Sequence, residues 1–187
     1  MNKKELIRQS AIELFAQDGY YNTTVKMVSK KAGIAVGTVY NYFANKEEIL
    51  EYIFEVELTK RIRFLEELKN KDISFQQKAR LFLDKHFSEL EAKPTTTTVL
   101  TQECRLPSEN KLETVEKFMN QIPALIAQLL EQAKEKGEIR EINSKLVANA
   151  IFNSLQGMAI KVSRSEEYNF AQAKKELLNL YWLGLKR

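Results

Sequence analysis

The stretch TVKMVSKKAGIAVGTVYNYFANK, residues 24–46, constrains this chain more than any other. It reads as a short helix, a tight turn at Gly33, a second short helix and the capped start of a third. Two short helices joined through a glycine turn are a helix-turn-helix, which commits the head of the chain to helices. The spacing predicts the pair over 25–32 and 36–42, with Thr24 as the first N-cap. Val28, Ala32, Ile34, Val39 and Phe43 fall on the inward side of that hairpin.

The rest continues in helices. Six glycines and three prolines among 187 residues disfavour a turn-rich β fold, and 44% apolar residues suffice for a core. The pattern predicts nine helices in all. The first covers 3–17 with Ile7, Ala11, Leu14 and Phe15 on one face and Gly19 at its end. Asn45 to Glu48 has capping-box spacing and opens a long helix to about 69, with Leu50, Phe54, Leu58, Ile62 and Leu65 inward. A second box, Ser74 to Gln77, opens a helix to 92 along the stripe Phe75, Ala79, Phe82, Leu83, His86 and Leu90. Pro94 suits the first turn of a helix over 95–105. Ser108 caps a seventh helix running to 136, with Pro123 inside it and Gly137 closing it. The last two cover 144–162 and 169–185. Their apolar faces are wide: Leu146, Ala150, Ile151, Leu155, Met158 and Val162, then Phe170, Leu177, Leu178, Tyr181 and Trp182.

Charge is distributed unevenly. Residues 1–46 hold seven lysines and arginines against three acids, an excess of four that equals the net charge of the whole chain. A basic head on a neutral body suits phosphate contact, which supplies most sequence-independent DNA affinity. The opening residues carry charges through their apolar stripe and predict no signal peptide; no apolar run nears the ~20 residues of a membrane span. One cysteine, Cys104, makes no internal disulfide, and a reducing cytoplasm fits. A single His86 with a single Cys104 has no metal-ligand spacing, so neither a metal nor a cofactor is expected.

A helix-turn-helix reads DNA when its second helix presents small or polar side chains to the major-groove floor. Here that set is Ala35, Val36, Gly37, Thr38 and Asn41. Thr38 offers a hydroxyl and a methyl, and Asn41 an amide suited to an adenine edge. Thr24, Lys26, Tyr40, Tyr42 and Lys46 are placed to hold phosphates, Lys46 at a helix N-terminus where an anion is favoured.

Residues 3–50 resemble the N-terminal domain of the TetR family of bacterial transcriptional regulators. The matching features are Gly19 and Tyr20, Thr24, the run Ala32, Gly33, Ile34, the run Gly37, Thr38, Val39, Tyr40, then Tyr42, Phe43, Asn45, Lys46 and Glu47. Ser29 and Lys31 depart from the usual pattern without disturbing it. The resemblance implies nine or ten helices in a homodimer, DNA contacts at the residues above, and a C-terminal pocket whose occupancy changes the spacing of the two heads. It divides the chain into a DNA-binding domain, 1–46, and an effector-binding and dimerisation domain, 47–187, with the fourth helix as lever. The family pairs subunits through its last two helices, which assigns Ile151, Phe152, Leu155, Ala159, Leu178, Tyr181 and Trp182 to the interface. Pocket walls fall to Phe82, His86, Leu90, Leu100, Glu103, Cys104, Phe118, Ile122, Ile126, Leu155 and Met158. Pro123 frees the Met119 carbonyl and is expected to open space between helices.

Lys85 to Leu90, with Gly137 to Ile139 and Ile151–Phe152, is also similar to Gram-positive regulators of fatty-acid degradation. That similarity makes long-chain acyl-CoA the leading effector. A multidrug- or other lipid-responsive repressor of an efflux gene is the alternative. Two other classes stand further off. An all-helical enzyme finds no nucleophile–base pair, and the glycines at 33 and 37 lack the lysine and strand of a phosphate loop. An interaction protein without DNA binding leaves the basic head unexplained.

Overall fold

Helix starts sit where short polar side chains accept the orphan amides of a first turn. The computed structural model describes residues 2–103, 112–163 and 165–186. Among them it contains nine helices and no strand: α1 (Lys3–Asp18), α2 (Val25–Lys31), α3 (Val36–Tyr40), α4 (Lys46–Asn70), α5 (Phe75–Ala92), α6 (Pro94–Glu103), α7 (Glu113–Glu135), α8 (Ser144–Ser163) and α9 (Phe170–Leu185). Thr24 Oγ1 accepts from the Met27 amide at 3.2 Å. Ser74 with Gln77, and Asn169 with Gln172, form reciprocal capping boxes. At α4 the Asn45 side chain accepts from the Glu48 amide at 2.8 Å, but the Glu48 carboxylate returns to the Ala44 amide at 2.7 Å, one residue before the box would place it.

Several boundaries differ from expectation. α2 closes at Lys31, and Gly33 takes a left-handed φ of 65°, a conformation in which a side chain is strained. α3 ends at Tyr40 rather than at 42. The Tyr42 amide bonds the Val39 carbonyl at 2.9 Å, so the chain tightens into an i→i+3 turn. α7 begins at Glu113, with the Leu112 carbonyl accepting from Glu116 at 3.1 Å, and Glu113 and Glu116 complement the helix dipole. The expected cap Ser108 and the expected helix end at 105 lie outside the described residues. Pro94 opens α6 as expected, and α7 continues through Pro123.

The chain divides into two compact units: Met1–Leu58 with Thr95–Phe118, and Thr59–Pro94 with Met119–Arg187. α4 supplies its first half to one and its second half to the other. The first unit's core gathers Ile7, Ala11 and Phe15 of α1, Val28, Val39, and Ile49, Leu50, Ile53 and Phe54 of α4. Phe54 meets Phe118 edge-on at 5.6 Å. Arg8 of α1 forks onto Glu5 at 2.6 and 2.8 Å and approaches Glu57 of α4 at 3.8 Å.

In the second unit α5 packs along α9, with Phe87 against Phe170 and an ion pair between Asp84 and Lys174 at 2.7 Å. Leu83, Phe87, Leu90, Leu130, Ile139, Leu155 and Leu177 are buried there. Phe87 and Lys78 lie inward although the expected α5 stripe omitted both. Lys78 buries its stem and donates its ammonium to the Lys69 carbonyl at 3.0 Å, in the last turn of α4. Leu146 and Ala150, expected inward on α8, face out. Among the described residues no helix is long and apolar enough to cross a membrane.

Candidate functional site

Val28 and Val39 are fully buried, and they fix α2 and α3 against the rest of the first unit. Anchoring α3 by Val39 turns its other side outward. Thr24, Lys26, Ala35, Val36, Gly37, Tyr40, Asn41 and Tyr42 are exposed, and Thr38 is partly so. Val36, Tyr40 and Tyr42 are 42%, 53% and 40% exposed, so three sizeable apolar side chains share one short segment of open surface. Lys30 is also exposed, one turn beyond Lys26 on the same face of α2. The sequence reading omitted Lys30, although its i,i+4 relation to Lys26 marks it. Lys31 is partly neutralised by Glu13 at 2.7 Å.

Lys46 stands at the start of α4, as expected, and its ammonium is engaged within the chain. Its ammonium donates to the Tyr20 and Tyr21 carbonyls at 2.7 and 3.3 Å and lies 4.3 Å from the Tyr20 ring centroid. The Tyr20 hydroxyl donates to Glu47 at 3.0 Å. Burial, reinforced by that carboxylate, holds the Tyr20 phenol well above its ordinary pKa. Lys46 therefore clamps the end of the first loop to the start of α4, because two carbonyls and a ring compete successfully with solvent for its charge.

The expected pocket set is spread over both units. Leu100, Glu103 and Phe118 belong to the first, where burial raises the Glu103 carboxyl above the usual range, opposed by the Lys46 charge. Cys104 lies outside the described residues. In the second unit Phe82 and Ile126 line an apolar cavity of about 60 Å³; Leu90, Ile122 and Leu155 are buried and Met158 is half-buried. The cavity's other walls went unforeseen: Leu65 of α4, Phe75, Lys78, Ala79 and Leu83 of α5, Leu129 and Leu130 of α7, and Leu185 of α9. A cleft of about 440 Å³ with a mixed polar and apolar lining runs beside Pro123, between α7 and the start of α8.

His86 stacks on Phe82 and meets Phe87 edge-on. Burial, helped by the Arg61 charge, pushes its imidazole down to about 3. The unfolded chain takes up a proton below about 6.5 that the folded chain refuses until about 3. Stability therefore falls as pH drops through that window, with a slope from this group approaching about 1.4 kcal/mol per pH unit. His86→Phe is expected to flatten the decline between about pH 6 and pH 4 in urea unfolding. Identical pH profiles for the two proteins would refute this.

Four of the expected pairing residues require correction. Ile151, Phe152, Leu155 and Ala159 are buried within the single chain, where a second copy cannot reach them. Leu178, Tyr181 and Trp182 are partly exposed and, with Ile151, wall the apolar cavity. The exposed apolar side chains of these helices are Leu146, Leu180 and Leu183, at 69%, 64% and 64%.

A family model described as "Bacterial regulatory proteins, tetR family" matches residues 7–53, and one described as "Tetracyclin repressor-like, C-terminal domain" matches residues 72–160. The fatty acid metabolism regulator protein of Bacillus subtilis (strain 168) is 26% identical over 181 residues, spanning 96% of this chain and 93% of the relative. The fatty acid degradation regulator FadR of Bacillus halodurans superposes with a TM-score of 0.88 at 25% identity, covering 96% of this chain and 94% of that one. FadR of Bacillus subtilis, solved in complex with stearoyl-CoA, superposes with a TM-score of 0.83 at 27% identity over 94% and 96% of the two chains. These relatives are transcriptional regulators and not enzymes. Matched at both its head and its body, the chain belongs to the TetR family of bacterial transcriptional regulators.

Proposed function

We propose that this regulator is a homodimeric repressor that leaves its operator when a long-chain acyl-CoA binds. The observation that carries the DNA-binding part is the outward surface of residues 36–42, held rigid from behind by Val28 and Val39 and set in a head whose excess positive charge equals that of the whole chain. Ala35, Val36, Gly37, Thr38 and Asn41 face base edges, and Thr24, Lys26, Lys30, Tyr40 and Tyr42 face phosphates. Residues 1–46 bind DNA; residues 47–187 bind effector and pair the subunits, and the protein works in the cytoplasm. The exposed leucines of α8 and α9 support pairing on that face, since a set of large apolar side chains left in water calls for a cover. Acyl-CoA as effector is supported by similarity along nearly the whole chain to fatty-acid regulators, one of them solved with stearoyl-CoA.

Release demands differential affinity. Weakening operator binding ~100-fold requires the effector to favour the released state by about 2.7 kcal/mol. A gel shift on the DNA upstream of the protein's own gene, titrated with salt, tests the proposal. The expected result is a shift that weakens steeply with salt and is reversed by stearoyl-CoA, but not by free coenzyme A. Absence of a shift at every salt concentration would overturn DNA binding. A shift that persists at saturating stearoyl-CoA would overturn the effector alone.

A further inference from the structure

We infer that α3 selects thymine: the exposed methyl groups of Ala35, Val36 and Thr38 seat against the C5-methyl groups of thymines in the major groove, and the helix makes no guanine-specific contact. The inference rests on the DNA-binding reading above, and it adds which base that surface prefers.

Side-chain chemistry separates the bases. Guanine presents its O6 and N7 acceptors in the major groove, and the groups that grip both are the multiple donors of arginine and lysine. From Ala32 to Asn45 the sequence contains no charged residue. The exposed lysines of α2, Lys26 and Lys30, belong to the helix that crosses the backbone, not to the one that enters the groove. Thymine presents a methyl group, and apolar side chains are its match. Ala35 and Val36 are exposed, Val36 by 42%, and Thr38 adds a further methyl at partial exposure.

Capping chemistry points the same way. α2, α5 and α9 each follow a side chain that accepts from the helix it starts: Thr24, Ser74 and Asn169. α3 follows Ala35, which offers no such bond. The helix proposed to enter the groove thus carries a methyl where a hydroxyl would hold its first turn better, and that methyl stands beside Val36 in open solvent. Val39 already anchors the helix, so neither side chain is required by the core. Burial against an apolar base edge gives both the cover they lack when no DNA is bound.

Uracil differs from thymine only by lacking that methyl, which supplies the test. The duplex upstream of the protein's own gene is amplified with dUTP in place of dTTP, and both forms are titrated by fluorescence anisotropy at one salt concentration. A buried methyl is worth about fourfold in affinity, so one thymine beneath Val36 in each of two heads predicts binding at least about 16-fold weaker to the uracil duplex. A duplex carrying 7-deazaguanine, which lacks N7, is expected to stay within about threefold of the unmodified DNA. Equal affinity for the thymine and uracil duplexes, or a larger loss with 7-deazaguanine, overturns the thymine reading and leaves DNA binding standing; no binding to the unmodified DNA overturns both.

A second arm varies the protein. Val36→Ala separates direct contact from any change in duplex shape. Alanine is the better helix former and Val36 lies outside the core, so the variant is expected to fold. Its preference for the thymine duplex over the uracil duplex should fall at least about fourfold below that of the parent. An unchanged preference in a variant with native circular dichroism would assign the effect to duplex shape and count against the contact. Should that variant misfold, uracil interference on the unaltered protein decides. The thymines whose methyls are needed are expected in two clusters about one helical turn apart, and a scatter along the whole duplex would refute the contact.

Discussion

Replacing Gly37 with glutamate is expected to weaken operator binding by at least about 100-fold while leaving the fold intact. Gly37 lies within α3, and a Cβ built there meets no other atom within 4 Å. Its φ is not positive, so no left-handed conformation is lost. Glycine is the poorer helix former by up to ~1 kcal/mol, so the variant should melt no lower than its parent. The proposed complex is different. There the added carboxylate faces the phosphates and the acceptor atoms that crowd the groove floor, and a dimer carries it twice. A penalty of about 1.4 kcal/mol per subunit already reaches 100-fold. Gly37→Ala separates the charge from the bulk, and it should stay within about fivefold of the parent. Fluorescence anisotropy with a labelled operator at fixed salt, beside thermal melts, reads both quantities. Undiminished binding by a folded Gly37→Glu protein would show that α3 does not enter the groove.

The fold was legible wherever the deciding interaction is local. Thr24, Ser74 and Asn169 cap their helices through bonds to amides three residues on, and that spacing is visible in the chain itself. Lys46 shows the opposite case. Its partners are carbonyls 25 and 26 residues earlier, and nothing in the neighbouring residues announces them. α8 shows a third. It is apolar on more than one side, so helical periodicity reveals that it has faces to cover but not which one its own chain covers. Ile151, Leu155 and Ala159 go inside, and Leu146 is left out. The apolar cavity was least legible, because five helices contribute its walls and the polar ends of Lys78 and Tyr181 must be diverted before it becomes apolar. The groove-facing set was legible for a simple reason. It is a single short helix, and one buried valine, Val39, determines which side of it faces out.

The paired change Leu180→Asp with Leu183→Asp is expected to yield a folded monomer that no longer holds its operator. These leucines are one turn apart on α9 and about two-thirds exposed, so within one chain they contribute little to stability. Burying a leucine completely is worth about 1.5–3 kcal/mol. A two-fold interface uses each residue twice, so four side chains account for roughly 6–12 kcal/mol of gross association energy before its costs. Aspartate removes that term and sets like charges across the axis. Loss of pairing then reaches the DNA. Two heads on half-sites about 34 Å apart bind as one tethered ligand, whereas separate heads forfeit the effective concentration, commonly worth 10²-fold or more. Sedimentation should show one species at the monomer mass at micromolar protein, with native circular dichroism, and operator affinity should drop by more than about 100-fold. Leu155→Asp is the contrast. Leu155 is buried in its own subunit, so its substitution should unfold the chain instead of dividing the dimer. If the Leu180 and Leu183 variant remained dimeric, the subunits would have to pair through a different face, and neither exposed leucine would then be explained.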